Sequence, residues 1–451
     1  MTPLNCAFFK NNTEKPTLLT QTYGVPSALQ RFDPTHAAAV ARVKAINPGN
    51  YARTRNALDG AVTGLSPYFT HGLLSTRAAA QEVNAKYPLS FDDKLVFELG
   101  WREFFQHVWS RAGLGGDAIL ANMHGTLPWA GAYAKDVPAD VREGRTGVPA
   151  IDAAVRVLYA TGYLHNHARM WLASYLVHVR KVSWRAGADW LYTHLIDGDL
   201  PSNHLSWQWV AGTFSSKPYI FNAENVLRFA PTRARAAWAS PNTVIDQSYE
   251  ALDTLASAKR DAGAERGMHE AVAEPASYVD VPAGLAASIS ESNKALAHVF
   301  ADNSASHLIA SLRPQETLEL VHPWALSARG SAPAGQRRLG VIHQPAHAQW
   351  PWSAARWEFV LQAMAGVVDA IWVGDLRQIR TSLAMGAGIR LTAQACLFPG
   401  YREALTRVAT TSPALRLLPN PAKPFRSFTS FYQQAQREAG TLAELLVTDK
   451  F

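Results

Sequence analysis

Four stretches of the chain bring together residue types whose spacing can do chemistry. The first runs from Gly60 to Tyr68 and holds Thr63, Leu65 and Ser66, with Tyr51 and Arg55 upstream. Hydroxyls and backbone N–H groups at a helix entry offer an anion such as a diphosphate a place against the positive end of the dipole, although an ordinary N-cap reads the same. The second runs from Phe97 to Phe105. On a helix Glu98, Trp101, Arg102 and Phe105 fall at i, i+3, i+4 and i+7, so one stripe offers a carboxylate, an indole and a guanidinium. That stripe suits a flat, hydrogen-bonding ligand, or else a half-buried helix whose Glu and Arg pair locally. In the third, from Gly144 through Asp152 to Met170, Asn166, Arg169 and Met170 share one helix face, and Trp171, Leu172, Tyr175, Leu176 and Val179 supply an apolar one. The fourth contains Trp184, Asp197, Asp199, Asn203, Trp207 and Trp209 and closes at Lys217 to Asn222. Its two carboxylates lack the further oxygen ligands of a calcium loop. His165, His167 and His178 lack a zinc spacing.

The elements that must position these residues follow from periodicity. Residues 1–50 carry Pro16, Pro26, Pro34 and Pro48, which interrupt any long helix, and read as an N-terminal extension. From 51 to 231 apolar residues recur at helical spacing, with a dense set of tryptophans. Residues 232–315 are rich in Ala, Ser, Asp and Glu and read as a linker of exposed helices and extended chain. From 316 to 451 the period changes. Leu318–Val321, Leu339–Ile342 and Ala370–Val373 read as buried strands, with helices over 353–367 and 401–410 between them. The fold class expected is therefore multidomain α and α/β, a helical domain followed by a small doubly wound parallel α/β domain.

Composition narrows the class further. The net charge of +7 favours polyanions only weakly, because the charge is spread along the chain. Two cysteines, Cys6 and Cys396, exclude a disulfide framework and a four-thiolate metal site. No window approaches the ~20 apolar residues of a membrane span, and the N-terminus lacks a signal pattern. A soluble, cytoplasmic monomer with no membrane partner is expected.

Taken together, the four stretches resemble, in order and spacing, the FAD-binding domain of the photolyase/cryptochrome family over roughly 180 residues. That resemblance implies FAD as cofactor. It implies that Tyr51, Arg55, Thr63, Leu65 and Ser66 line the phosphates and that Glu98 and Arg102 stand at the cavity. Arg169 would pair with Asp197 over the isoalloxazine, and Asp199 would bond its polar edge. Asn203 would face the central ring nitrogen, where an amide tolerates a protonated flavin without adding charge. Trp207 and Trp184 match two members of the family's electron-transfer tryptophan chain; the distal position falls near Gly131, and Trp129 is the closest indole. Trp101 and Trp209 match residues that stack on damaged pyrimidines, Glu98 and Asn166 residues that hydrogen-bond them, and Met170 one that packs beneath.

Two activities follow from the resemblance. One is a blue-light-driven DNA photolyase that splits cyclobutane pyrimidine dimers; the other is a cryptochrome-type photoreceptor that repairs nothing. Glu98, Trp101, Met170 and Trp209 fit the enzyme, acting on DNA with pyrimidine dimers. His167 stands where cyclobutane photolyases carry an arginine on the lesion's phosphate, and Asn166 replaces the second histidine typical of (6-4) photolyases. The family's antenna domain normally comes first, and Phe425 to Tyr432 is similar to the stretch that closes it. A permuted order is expected, with residues 316–451 antenna-like. A folate, a deazaflavin or no antenna chromophore all remain open for that domain.

Overall fold

The computed structural model describes residues 15–111, 117–129, 131–259, 274–328, 335–386 and 388–447; Cys6 and the rest of residues 1–14 of the N-terminal extension lie outside them. The chain divides into two compact units, each assembled from separated segments: residues 1–32, 49–64 and 118–276 form one, and 33–48, 65–117 and 277–451 the other. No helix among the described residues is long and apolar enough to cross a membrane.

The first unit is helical. Its site-bearing helices are α1 (Pro48–Thr54, of which Gly49 onward belongs here), α2 (Pro149–Thr161), α3 (Asn166–Ser174), α4 (Trp184–His194), α5 (Leu200–Ala211) and α6 (Tyr249–Ser257). Local chemistry sets their ends. Pro149 and Pro201 stand in the first turns of α2 and α5, where a missing N–H costs nothing. Asp199, Ser248 and His165 cap α5, α6 and α3 through their side chains. Asp152, in the third stretch, is taken up by its own turn: its carboxylate accepts from the Thr146 N–H at 2.7 Å, the Thr146 hydroxyl at 2.8 Å and the Gly147 N–H at 3.2 Å. The core is made by the apolar faces of α2, α3 and α5, with Ile151, Val155, Leu158, Trp171, Leu172 and Leu205 all buried, and Leu176 just beyond α3 buried with them.

The second unit is built on five parallel strands, β1 (Thr317–Val321), β2 (Arg337–His343), β3 (Ala370–Gly374), β4 (Arg390–Gln394) and β5 (Thr410–Ser412), in spatial order β3-β2-β1-β4-β5. The three apolar runs expected as strands are β1, β2 and β3, and the helices Ala354–Ala365 and Tyr401–Val408 lie where helices were expected. The core of β2, Leu339–Ile342, is apolar and buried because a central strand of a parallel sheet is covered on both faces. This doubly wound order confirms the expected fold class. The grouping of segments does not follow a cut near residue 231, because residues 65–117 share one unit with the sheet. The helix Lys94–Arg111 packs on Phe428–Ala439 through Phe97, Trp101, Phe104, Phe428 and Phe431, and the buried Arg77 donates to the Leu445 carbonyl at 2.6 Å.

Candidate functional site

α5 is the centre of the first unit's polar cluster. The Asp199 carboxylate accepts from the Ser202 N–H at 3.2 Å and from the Ser202 hydroxyl, which fixes the start of the helix. Asn203 and Trp207 then fall four residues apart on one face, and Trp209 points elsewhere. Asn203 is buried, and its Nδ2 donates to the Ala188 carbonyl on α4 at 2.8 Å. Anchoring the amide nitrogen in this way directs the carbonyl oxygen to the opposite side, where it can only accept.

Trp207 is 2% exposed, and its six-membered ring lies directly on Gly187 of α4. A Cβ at Gly187 would stand 2.3 Å from Cζ3 and 2.4 Å from Cη2 of Trp207, so this backbone-to-indole approach needs glycine. Trp184 precedes Gly187 by three residues on the same helix, roughly 4.5 Å along its axis and on the same face. It is also buried, and its Nε1 donates to Asn122 Oδ1 at 2.8 Å. Sequence reasoning placed both indoles and missed what holds them. A glycine inside a helical pattern was the one available signal.

Trp129 is of a different kind. It is 55% exposed, sits at φ +58°, donates from Nε1 to the Ser257 carbonyl at 2.9 Å, and has Lys259 Nζ 5.9 Å from its ring centre. Trp171, by contrast, is fully buried and packs beside Phe221, in line with a core role.

The guanidinium of Arg169 on α3 reaches both oxygens of Asp197 from one nitrogen, at 2.7 and 3.0 Å, and its Nε donates to the Leu164 carbonyl at 2.7 Å. This pair, expected from the resemblance, forms with the Asp197 side chain almost wholly buried. Ahead of it, His165 accepts from the His167 N–H through Nδ1 at 3.1 Å, so its Nε2 carries the proton and donates to the Arg55 carbonyl at 3.1 Å. Burial, reinforced by His167, pushes the His165 imidazole down to about 3. Burial and then the nearby Arg55 charge push His167 down to about 4. His167 packs on Phe229 with ring centres 4.4 Å apart and is uncharged at neutral pH, so it supplies no cation for a phosphate.

Trp209 is 36% exposed, with its ring 5.9 Å from Tyr219. Asn166 is exposed beside the half-buried Met170, Nδ2 to Sδ 3.5 Å. Tyr51 and Arg55 lie on and just after α1, and Thr63 is half-buried further along the same unit.

The remaining candidates belong to the second unit. Leu65 is buried and Ser66 opens the helix Ser66–Thr70. With a single turn, this helix has little dipole to offer an anion, contrary to the sequence expectation. Glu98 pairs with Lys94 one turn earlier, at 3.0 Å, a different partner from the Arg102 that the spacing suggests. Trp101 is stacked on Phe428, with centroids 4.0 Å apart and planes 9° from parallel, so one face of its indole is covered. Arg102 is half-buried on the same helix. No group of three or more His, Cys, Asp or Glu side chains able to hold a metal occurs among the described residues.

The first unit's donors suit a flavin: a fixed guanidinium–carboxylate pair, an acceptor oxygen turned outward at Asn203 and buried indoles behind it. Residues 95–235 match the family model described as the FAD binding domain of DNA photolyase. A deoxyribodipyrimidine photo-lyase of Escherichia coli is 34% identical over 214 residues, which are 43% of this chain and 44% of that protein. A chloroplastic/mitochondrial cryptochrome DASH of Oryza sativa subsp. japonica is 35% identical over 173 residues, 36% of this chain and 28% of that one. Among solved structures, a cryptochrome of Synechocystis sp. superposes on 50% of this chain and 52% of its own with a TM-score of 0.42 and 26% identity. The chain thus spans less than half the length of the curated relatives it matches. Residues 95–235 thus match the FAD binding domain of DNA photolyase, and over that stretch the chain is similar to photolyases and to a cryptochrome.

Proposed function

We propose that this protein is a blue-light-driven DNA photolyase that splits cyclobutane pyrimidine dimers. The observation that carries the reading is the two-faced α5: Asn203 and Trp207 are buried on one side, and Trp209 leaves the other side exposed. FAD, when bound, supplies the light-absorbing electron donor. The chain's own residues do the rest by position. Arg169, held by Asp197, and Asn203, held by Ala188, orient the ring; Asp199 contributes a carboxylate at the helix start. Trp209 offers an exposed indole for a base that has left the duplex, with half-buried Met170 and exposed Asn166 on α3 to pack and hydrogen-bond. Trp207, seated on Gly187, and Trp184, three residues before that glycine on α4, form the inner part of a charge relay, and exposed Trp129 is its solvent end. Tyr51, Arg55 and Thr63 of the first unit keep the phosphate-lining roles that the resemblance implies. The five-stranded α/β part, residues 316–451, corresponds to the antenna-like domain and follows the FAD-binding stretch in sequence.

A specific observation favours the photoreceptor as a second reading. An uncharged His167 where a phosphate-binding cation is expected weakens the case for tight DNA binding. One experiment separates the two. The purified protein is checked for flavin absorption, reduced under blue light, and mixed with thymine-dimer DNA, single- and double-stranded. Loss of dimers under light, absent in the dark, is the expected result. Photoreduction without dimer loss would establish the receptor, and absence of flavin would refute both.

A further inference from the structure

In an open sheet of order β3-β2-β1-β4-β5, the chain runs one way from β1 and the other way from β4, and ligands bind in the crevice beyond the carboxyl ends of these two strands. Here that crevice is filled by the chain itself. His322, directly after β1, is fully buried. It donates from Nε2 to the Gln394 carbonyl at the end of β4, at 3.0 Å, while its Nδ1 accepts from the Trp324 N–H at 3.3 Å. The ring therefore stitches the two strand ends shut. Trp324 follows and stacks on Phe398 with centroids 4.4 Å apart, and the Tyr401 ring stands 5.0 Å from it, edge-on. The Tyr401 hydroxyl accepts from the His343 N–H at the end of β2, at 2.8 Å.

A loop from earlier in the chain seals the remaining space. His71 is fully buried; its Nδ1 donates to the Pro323 carbonyl at 2.8 Å, and its own carbonyl accepts from the Leu326 N–H at 2.9 Å. Gly72, at φ +70°, brings its backbone so close that a Cβ would stand 2.7 Å from the Trp324 carbonyl oxygen. Tyr68, one turn earlier, is buried with its hydroxyl on the Asp33 carbonyl at 3.0 Å. The Gln394 and Pro323 carbonyls and the His343 and Leu326 N–H groups at this crevice are thus all engaged within the chain.

We propose that the sheet's switch-point crevice is a socket for the chain's own His71 turn, in place of a second chromophore. The sheet then serves as a scaffold that fixes the 65–74 segment, and FAD is the only light absorber. Only that last clause rests on the flavin reading; the socket stands on the packing alone.

Two measurements test it. The holoprotein is extracted with acid and its chromophores counted, and it is then titrated with FMN, a deazaflavin and a methenylated folate while amide exchange is followed at Leu326. FAD as the single extracted chromophore, with slow Leu326 exchange that none of the added compounds alters, is the expected result. A second chromophore whose binding shifts or unprotects the Leu326 amide would overturn the proposal; one that leaves it unchanged lies elsewhere and upholds the socket while ending FAD's sole role. Extraction of no FAD at all would count against the family reading, with the socket still judged at Leu326. In the second measurement His71→Ala is compared with His71→Asn, whose amide retains a donor for Pro323. Leu326 exchange tenfold or more faster in the alanine variant, and restored in the asparagine variant, is expected; equal protection in all three proteins would overturn the socket. Should His71→Ala not fold, the wild-type titration decides alone.

Discussion

The closest approach in the candidate site gives the sharpest prediction. Gly187→Ala adds one methyl at a point 2.3 Å from Trp207 Cζ3 and 2.4 Å from Cη2. Carbon atoms in contact rest at about 3.5–4.0 Å, so the indole or the α4 backbone must retreat by roughly 1 Å. Overpacking of this kind costs about 1–3 kcal/mol. The helix propensity of alanine over glycine returns about 1 kcal/mol. A net destabilisation of about 0–2 kcal/mol is expected, and the replacement of Trp207 by the shorter Phe removes the clash. A double-mutant cycle of Gly187→Ala with Trp207→Phe, read by denaturant unfolding, is therefore the right assay. Gly187→Ala is expected to destabilise the wild type and to stabilise the Trp207→Phe background by up to about 1 kcal/mol. The same single variant is expected to change the rate of flavin photoreduction, since Trp207 moves. A coupling energy within error of zero, together with an unchanged photoreduction rate, would refute the packing and the relay built on it.

Burial holds His165 at about 3 and His167, His178 and His194 at about 4 in the helical unit, and His322 at about 4 and His347 at about 3 in the sheet unit. Their ordinary value is about 6.5. The unfolded chain thus binds protons that the folded chain refuses, so stability is complete above about pH 6.5 and falls as the pH drops toward 4. The slope approaches about 1.4 kcal/mol per pH unit for each histidine, and urea midpoints between pH 7 and 4.5 should show it; a flat profile would contradict the burial. Asn122→Ala removes the acceptor for Trp184 Nε1 and should cost about 0.5–1.5 kcal/mol and shift indole emission, as measured by unfolding and fluorescence. Phe428→Ala deletes the ring stacked on Trp101 and should cost about 3–5 kcal/mol, with Trp101 becoming accessible to acrylamide quenching; unaltered quenching would mean that the stack does not form in solution.

What the sequence by itself determined is whatever a short window encodes. The runs Leu318–Val321, Leu339–Ile342 and Ala370–Val373 announced strands because they are short and almost wholly apolar, as the covered strands of a parallel sheet are. The motif order announced the flavin domain, and Arg169 with Asp197, Asn203 and Trp207 could be named from it. β4 and β5 escaped notice because Arg390–Gln394 is mixed in polarity and Thr410–Ser412 is a polar edge of three residues. Only the tertiary structure decided that residues 65–117 share a unit with the sheet, that Phe428 covers Trp101, that Gly187 seats Trp207 and that His71 plugs the switch point. Each of these joins residues distant in sequence or on separate elements, through close packing. Packing depends on the shapes of both partners once the backbone is in place, and no local pattern of polarity carries that information.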